Sequence, residues 1–217
     1  MKTLLLTLAL LAVGGTAHLL AQERRQLGDG EPLDSIRRRI EFIDPRSGPP
    51  GTVVTLRTGG LPAVTPVRIG IGAVRFGFEE TSQIMTDMQG NIELTVEVPS
   101  WAQNDRPHRF IVFDYYFAPI ALSDAFHVTA PDGTVMREGT LTNPRGECPT
   151  LHEETGHSYT LIGDISGYEP GAHVIVEGTI VSSTSCGTET VVNVLRIRPA
   201  APSELKLAVK REPEQSN

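Results

Sequence analysis

Hydrophobic and polar residues alternate in several short stretches of the first half of the chain. The clearest stretch is 92–98, where Ile, Leu, Val and Val alternate with Glu, Thr and Glu, as in a strand with one buried and one solvated face. Further strands are predicted at 40–43, 52–57, 67–71, 74–78, 110–116 and 125–129. About seven strands within roughly 90 residues, separated by turn-forming residues, predict a β-sandwich over 40–130.

A second β unit is predicted from 138 to 199. The segment 173–179 alternates between apolar and polar residues, and 189–198 is rich in Val and Ile. The residues 153–156 have the composition of a hairpin tip between two shorter strands. The second half of the chain is therefore also expected to consist of strands.

The composition supports an all-β protein and argues against nucleic-acid binding. The sequence contains 21 Gly and 16 Pro, which is too much turn chemistry for a helical bundle. The formal net charge is −7, whereas a nucleic-acid binder needs a basic face. We therefore expect no nucleic-acid partner.

The first 21 residues have the organisation of a secretory signal peptide. Lys2 precedes an apolar run at 4–13, and small residues follow. A retained membrane anchor is the alternative, but the run is shorter than the roughly 20 residues needed to cross a bilayer. We expect an extracytoplasmic protein, periplasmic or secreted, with no membrane span after cleavage. Residues 22–39 are predicted to be a linker, and 200–217 a disordered tail.

The two cysteines, Cys148 and Cys186, fit an oxidising compartment, where a disulfide is the expected state of an even pair. A bond between them would close a loop of roughly 40 residues, which the chain-entropy argument values at about 4 kcal/mol. The alternatives are a metal pair and a reactive thiol. Neither cysteine belongs to a C-x-x-C motif, and no second pair completes a zinc site.

A set of turn and core residues in the first half carries a family resemblance. Its members are Pro45, Gly48, Gly51, Thr52, Val54, Asp87, Gly90, the strand 92–98, Pro99, Phe126 and Val128. Together they resemble the IPT/TIG-type immunoglobulin-like domains of bacterial surface proteins. That resemblance implies an immunoglobulin-like β-sandwich that serves as a spacer, an adhesion module or an interaction module.

The second half carries a different resemblance. Its matching residues are Gly139, Cys148, Pro149, Gly156, Tyr159, Leu161, Pro170, Gly171, Val174, Val176, Gly178 and Cys186. They are similar to small secreted bacterial domains with an OB-like barrel and no assigned function. Gly178 would let its strand bend around such a barrel. The predicted fold is therefore all-β, with an immunoglobulin-like sandwich followed by a small OB-like barrel.

Aromatic residues supply the candidate binding positions. Trp101, the only Trp of the chain, is expected either to pack in the core or to anchor a partner or glycan from a loop tip. Strand alternation would send Tyr115 and Phe117 to one face and Phe113 and Tyr116 to the other. Trp101, Tyr115 and Tyr116 are our candidate contact residues.

Enzymatic motifs are weak. His152 and His157 resemble a zinc-binding H-E-x-x-H motif, but they are five positions apart and flank a turn rather than lying on one helix. Asp87 and Asn91 lack the remaining ligands of a calcium loop and are predicted to form a turn. We therefore predict no catalytic residue, no metal site and no cofactor.

These observations favour a non-catalytic exported protein that recognises a protein partner in the bacterial envelope or outside the cell. A carbohydrate-binding module is the first alternative, because sandwiches and OB-like barrels both host glycan sites. A metal-dependent hydrolase that uses the region of His152 and His157 is the second. Fold alone does not separate these functions.

Overall fold

The computed structural model describes residues 36, 38–73, 76–143, 148–181 and 190–200. These residues form fourteen strands and no helix, which confirms the predicted all-β class. The strands are β1 (Phe42–Asp44), β2 (Ser47–Gly48), β3 (Val53–Thr58), β4 (Pro66–Ala73), β5 (Gly77–Met85), β6 (Ile92–Glu97), β7 (Pro107–Phe113), β8 (Pro119–Leu122), β9 (Phe126–Val128), β10 (Thr134–Thr142), β11 (Thr150–His152), β12 (Ser158–Ile162), β13 (His173–Val181) and β14 (Thr190–Pro199).

The predicted signal peptide, most of the predicted linker and nearly all of the predicted tail lie outside the described residues. Within the described ranges, the structure contains no helix long and apolar enough to cross a membrane.

The first nine strands form two sheets that face each other. One sheet has the order β1-β3-β6, and the other has the order β2-β9-β7-β4-β5, with β8 paired to β7. The facing sides bury an apolar core. The alternation predicted in β6 is confirmed, because Ile92 and Val96 are buried in this core while Glu93 and Glu97 are exposed.

A second apolar cluster covers the outer face of the larger sheet. Its members, which we call the outer aromatic cluster, are Ile36, Phe78, Ile111, Phe113, Phe117 and Leu122. Two glycines of β4 make room for it. A Cβ on Gly70 would lie 3.1 Å from the Phe113 ring, and a Cβ on Gly72 would lie 2.7 Å from the Cβ of Phe78. The rings of Phe78 and Phe113 therefore stack over the sheet with their centroids 4.3 Å apart.

The last five strands close a small barrel in the order β10-β11-β12-β14-β13. Neighbouring strands are antiparallel except β12 and β14, which are parallel. A Cβ on Gly178 would clash with the carbonyl oxygen of Asn193, and the register between β13 and β14 shifts between Glu177 and Gly178. The strand irregularity predicted at this glycine is present because β14 passes directly over it.

Arg137 of β10 is fully buried where the sandwich meets the barrel. Its Nη1 donates to the carbonyl of Asn104, between β6 and β7, at 2.6 Å, and its Nη2 lies 3.2 Å from Nδ1 of His127 in β9. Its Nε lies 3.8 Å from a carboxylate oxygen of Glu153, in the turn between β11 and β12. A buried guanidinium requires such partners, so these contacts hold the two units together.

The imidazole ring of His127 is neutral at this contact between the sandwich and the barrel. Burial, together with the nearby charge of Arg137, lowers the pKa of His127 to about 3. Because a guanidinium only donates, Nδ1 of His127 accepts from Arg137 and the ring proton lies on Nε2. That Nε2 is 3.3 Å from the hydroxyl of Thr190 in β14. One imidazole therefore connects two strands of the barrel to the sandwich.

Candidate functional site

Residues 114–118, which join β7 to β8, form a tight turn that we call the tyrosine loop. One carboxylate oxygen of Asp114 accepts hydrogen bonds from the backbone N–H groups of Tyr116 and Ala118, both at 2.8 Å. Phe117 has a positive φ of 66° and donates its N–H to the carbonyl of Asp114. These contacts fix the backbone of the loop.

The strand alternation predicted for this segment is wrong. Phe113 and Phe117 both pack in the outer aromatic cluster, whereas Tyr115 and Tyr116 are both exposed, by 60% and 85%. The physical reason is that the chain leaves the strand at Asp114. The left-handed backbone at Phe117 then turns that ring back onto the sheet.

The side chain of Arg68, in β4, packs against two aromatic rings of the tyrosine loop. Its guanidinium carbon lies 4.4 Å from the ring centre of Phe117 and 5.5 Å from that of Tyr115. Its Nη1 donates to both carboxylate oxygens of Glu80, at 2.9 and 3.0 Å. The two tyrosine rings contact each other edge to face, with centroids 5.5 Å apart. Both rings are thus presented by a supported loop.

The tyrosine loop lies at the end of the sandwich far from the barrel. Strand β7 starts beside the junction, where Pro107 pairs with His127, and it ends at Phe113, about 20 Å further along. Other large apolar side chains are exposed at this far end: Val64 by 63%, Met85 by 55% and Met88 by 81%.

Trp101 lies at the opposite end, next to the barrel. It is partly buried and packs against the sandwich core. Its ring centre is 5.7 Å from that of His108, and both residues line a cavity of about 260 Å³. Trp101 and the two tyrosines therefore do not share one surface.

His152 and His157 lie on opposite faces of the β11–β12 hairpin. Nδ1 of the exposed His152 is 2.7 Å from the hydroxyl of Ser158. His157 faces the sandwich, where its Nε2 is 3.5 Å from Nη2 of Arg109. Among the residues that the structure describes, no group of three or more His, Cys, Asp or Glu side chains could hold a metal ion. The structure therefore does not bring His152 and His157 together on one side of the hairpin.

Asp87 is the hydrogen-bond acceptor of a turn. One of its carboxylate oxygens accepts from the backbone N–H groups of Gln89 and Asn91, at 2.8 and 2.7 Å, and the other accepts from the amide of Asn91 at 3.1 Å. The hydrogen bonds from Asn91 hold the pKa of this carboxyl below its ordinary value. The predicted turn is confirmed.

Cys148 lies just before β11, whereas Cys186 lies outside the described residues. The disulfide between them stays a prediction.

Comparison with known proteins identifies one family match, confined to the barrel. Residues 138–200 match a family model described as "Protein of unknown function (DUF5818)". Among solved structures, macromomycin is similar, with 17% sequence identity, a TM-score of 0.35, and coverage of 41% of this chain and 96% of macromomycin. That score is too low to support an argument about fold or function. No curated protein matches the chain. The family match thus covers strands of the barrel, which are similar to a domain of unknown function.

Proposed function

We propose that this protein is a non-catalytic, exported interaction protein that recognises a protein partner in the bacterial envelope or outside the cell through the tyrosine loop. The observation that carries the proposal is the exposure of Tyr115 and Tyr116 on a turn whose backbone and supporting side chains are fixed.

The chemistry of the loop supports protein recognition. Tyrosine combines a large apolar ring with a hydroxyl and has few rotatable bonds, so it loses little conformational entropy on binding. Aromatic side chains dominate the binding energy of many protein interfaces. Asp114 and Arg68 hold the loop before a partner arrives, which lowers the entropy cost of association further.

The remainder of the fold suits a supporting role. The sandwich is proposed to be IPT/TIG-like and the barrel OB-like. The barrel order β10-β11-β12-β14-β13, with a single parallel pair, supports the second assignment. The buried contacts of Arg137 support a fixed orientation of the sandwich, which would then present the tyrosine loop away from the barrel.

The alternatives have less support. A flat, open glycan-binding platform on Trp101 has less support, because that side chain is partly buried against the core and only lines a small cavity. A metal-dependent hydrolase would need His152 and His157 on one side of their hairpin, but they face opposite sides.

Site-specific photo-crosslinking tests the proposal. A photoreactive phenylalanine analogue would replace Tyr116 in the full chain, expressed in the native host. The matched control would replace Leu195, a barrel residue that is 60% exposed. We expect one reproducible crosslinked protein from position 116 and none from position 195.

The double variant Tyr115→Ala, Tyr116→Ala then measures the contribution of the two rings. Truncation of a central aromatic anchor weakens an interface by about 2 kcal/mol or more, which is about 30-fold or more in Kd. Equal crosslinking from positions 116 and 195, or an unchanged Kd in the double variant, would reject recognition through the tyrosine loop.

A further inference from the structure

The cavity beside Trp101 has features of a ligand site that is separate from the tyrosine loop. Its volume of about 260 Å³ is below the roughly 300–1,000 Å³ of sites for drug-sized ligands, so it fits a single ring. It lies at the barrel end of the sandwich, between the β4–β5 turn, the start of β7 and the segment that follows β6. We call it the Trp101 cavity.

Two aromatic side chains give the cavity apolar walls. Trp101 packs its ring against the core beside His108. Phe76 is 52% exposed, although exposure of a phenylalanine is unfavourable, and the guanidinium carbon of Arg106 lies 3.4 Å from its ring centre. Aromatic rings that line a cavity can stack against the C–H face of a ligand ring, because the π face carries partial negative charge.

A buried imidazole supplies hydrogen-bonding capacity without charge. His108 lines the cavity, is only 1% exposed, and its Nδ1 finds no hydrogen-bond partner among the described residues. Burial lowers the pKa of His108 to about 4, so the ring is neutral at physiological pH. A neutral imidazole has one donor and one acceptor, and the unpaired Nδ1 leaves one of these two functions open to a ligand.

The positive charge of Arg106 at the cavity is already paired with the carboxylate of Asp105. Nε and Nη2 of Arg106 donate to the two carboxylate oxygens of Asp105, both at 2.6 Å. Burial acts to raise the pKa of Asp105, but the hydrogen bonds and charge of Arg106 bring it below its ordinary value, so both groups are ionised. A charged ligand would therefore lose its hydration without gaining an uncompensated counter-charge.

The polar rim completes the match to a ligand that is apolar on one face and polar at its edge. Ser100 and the exposed Gln103 lie at the cavity, and the side-chain oxygen of Gln103 accepts from Arg106 at 3.2 Å. We propose that the Trp101 cavity binds one neutral pyranose ring, either as a free sugar or as the end of a glycan. Its C–H face stacks on the aromatic walls and its hydroxyls bond to His108, Gln103 and Ser100.

The intrinsic fluorescence of the protein reports ligand binding in this cavity, because Trp101 is the only Trp of the chain. The full chain would be titrated with methyl pyranosides of neutral hexoses and with the matching disaccharides, and the Trp101 indole signal would be followed by NMR. We expect a saturable change with a Kd of about 1–10 mM, as for small ligands of this size. Tighter binding of a disaccharide indicates a glycan end, and equal binding indicates a free sugar.

The variant Gln103→Ala tests the hydrogen-bonding rim without disturbing the core. We expect the Kd to rise by about 2- to 12-fold, the effect of one neutral hydrogen bond. Gln89→Ala, the same change at an exposed position in the turn at the far end, should leave the Kd unchanged. Methyl glucuronide and glucosamine, which carry a charge, should bind about 10-fold more weakly or worse.

Three results would overturn the proposal. The first is a complete absence of saturable change in both the fluorescence and the NMR signal with every pyranoside. The second is binding of the charged sugars as tight as that of the neutral ones. The third is binding of an uncharged aromatic ring such as indole in the absence of sugar binding.

Discussion

Two histidines with buried rings give this protein a defined response to acid. Burial is the main cause that lowers the pKa of His108 to about 4 and that of His127 to about 3. In the unfolded chain both rings return to a pKa of about 6.5. Between these values the unfolded chain binds protons that the folded chain does not, so acid favours unfolding.

The free energy of unfolding is therefore expected to fall as the pH falls from about 6.5 to about 4. At full effect, the unfolded chain binds at most two more protons on these rings than the folded chain does. That difference corresponds to a slope of at most about 2.7 kcal/mol per pH unit. Glu153 acts in the opposite sense, because burial raises the pKa of its carboxyl and the folded chain takes up its proton more readily. The contribution of Glu153 therefore partly offsets the slope due to the two rings.

The variant His127→Gln isolates one ring, since the amide oxygen can still accept a hydrogen bond from Arg137. We expect the difference in bound protons between the unfolded and folded chains to fall by about one. The slope should therefore decrease by about 1.4 kcal/mol per pH unit. Urea unfolding at several pH values from about 7 down to about 5 measures this slope. The exposed Gln89→Ala, which changes no titratable group, is the control and should leave the slope unchanged. An unaltered slope in His127→Gln would contradict the role given to the buried ring.

At the scale of elements, the glycines of β4 decide how the outer aromatic cluster packs. The sequence Ile-Gly-Ile-Gly-Ala places isoleucines on the core side and glycines on the outer side. Phe78 lies directly over Gly72, with which it is paired across the strands. The cluster then supports Phe117 and, through it, the tyrosine loop.

We expect Gly72→Ala to destabilise the protein by about 1–3 kcal/mol, because the added methyl would overlap the backbone carbonyl oxygen of Gly77 and the Cβ of Phe78. Gly167→Ala is the matched control, since nothing lies within 4 Å of its added methyl. That control should be neutral, or stabilising by about 0.4–1 kcal/mol. Thermal and urea unfolding measure both effects. Equal stability of the two variants would mean that the close approach of β5 to Gly72 does not constrain this position.

The sequence predicts strands and turns correctly where apolar and polar residues alternate regularly and turn-forming residues bound the run. Strand β6 and the turn at Asp87 follow from alternation and turn chemistry alone. The sequence predicts a strand at the tyrosine loop because four of the five residues from Phe113 to Phe117 are aromatic, which is a strand-like composition. Only the side-chain cap of Asp114 and the positive φ of Phe117 reveal the turn.

The residues that support the candidate sites leave a weaker signal in the sequence. Arg68 is a charged residue in an otherwise apolar strand, which suggests a specific partner but does not identify Phe117 or Glu80. The Trp101 cavity joins residues from three separate segments, and their proximity depends on sheet order. Tertiary contacts of this kind cannot be read from local periodicity.

At the scale of the whole molecule, the orientation of the two units depends on a buried ion pair. Arg137 is fully buried, and the side chain of Glu153 is 6% exposed. Removing one member of a buried pair leaves the other charge uncompensated, which costs about 3–5 kcal/mol, whereas replacing both with apolar residues costs far less. The junction can therefore be tested by a double-mutant cycle.

We expect Arg137→Met and Glu153→Leu each to destabilise the protein by about 3–5 kcal/mol, and the double variant to be much more stable than the sum of the two changes implies. Trp101 fluorescence reports the sandwich alone, while circular dichroism reports both units. The two signals should coincide on unfolding of the unmodified chain and separate in Arg137→Met, because the barrel loses the buried contacts of this guanidinium with the sandwich. Arg196→Met is the control, as it breaks the ion pair with Glu177 in which Arg196 is 73% exposed, and it should change stability by about 0.5 kcal/mol or less. If Arg137→Met behaved like Arg196→Met, the guanidinium would not couple the units, and the sandwich would turn independently of the barrel as it presents the tyrosine loop.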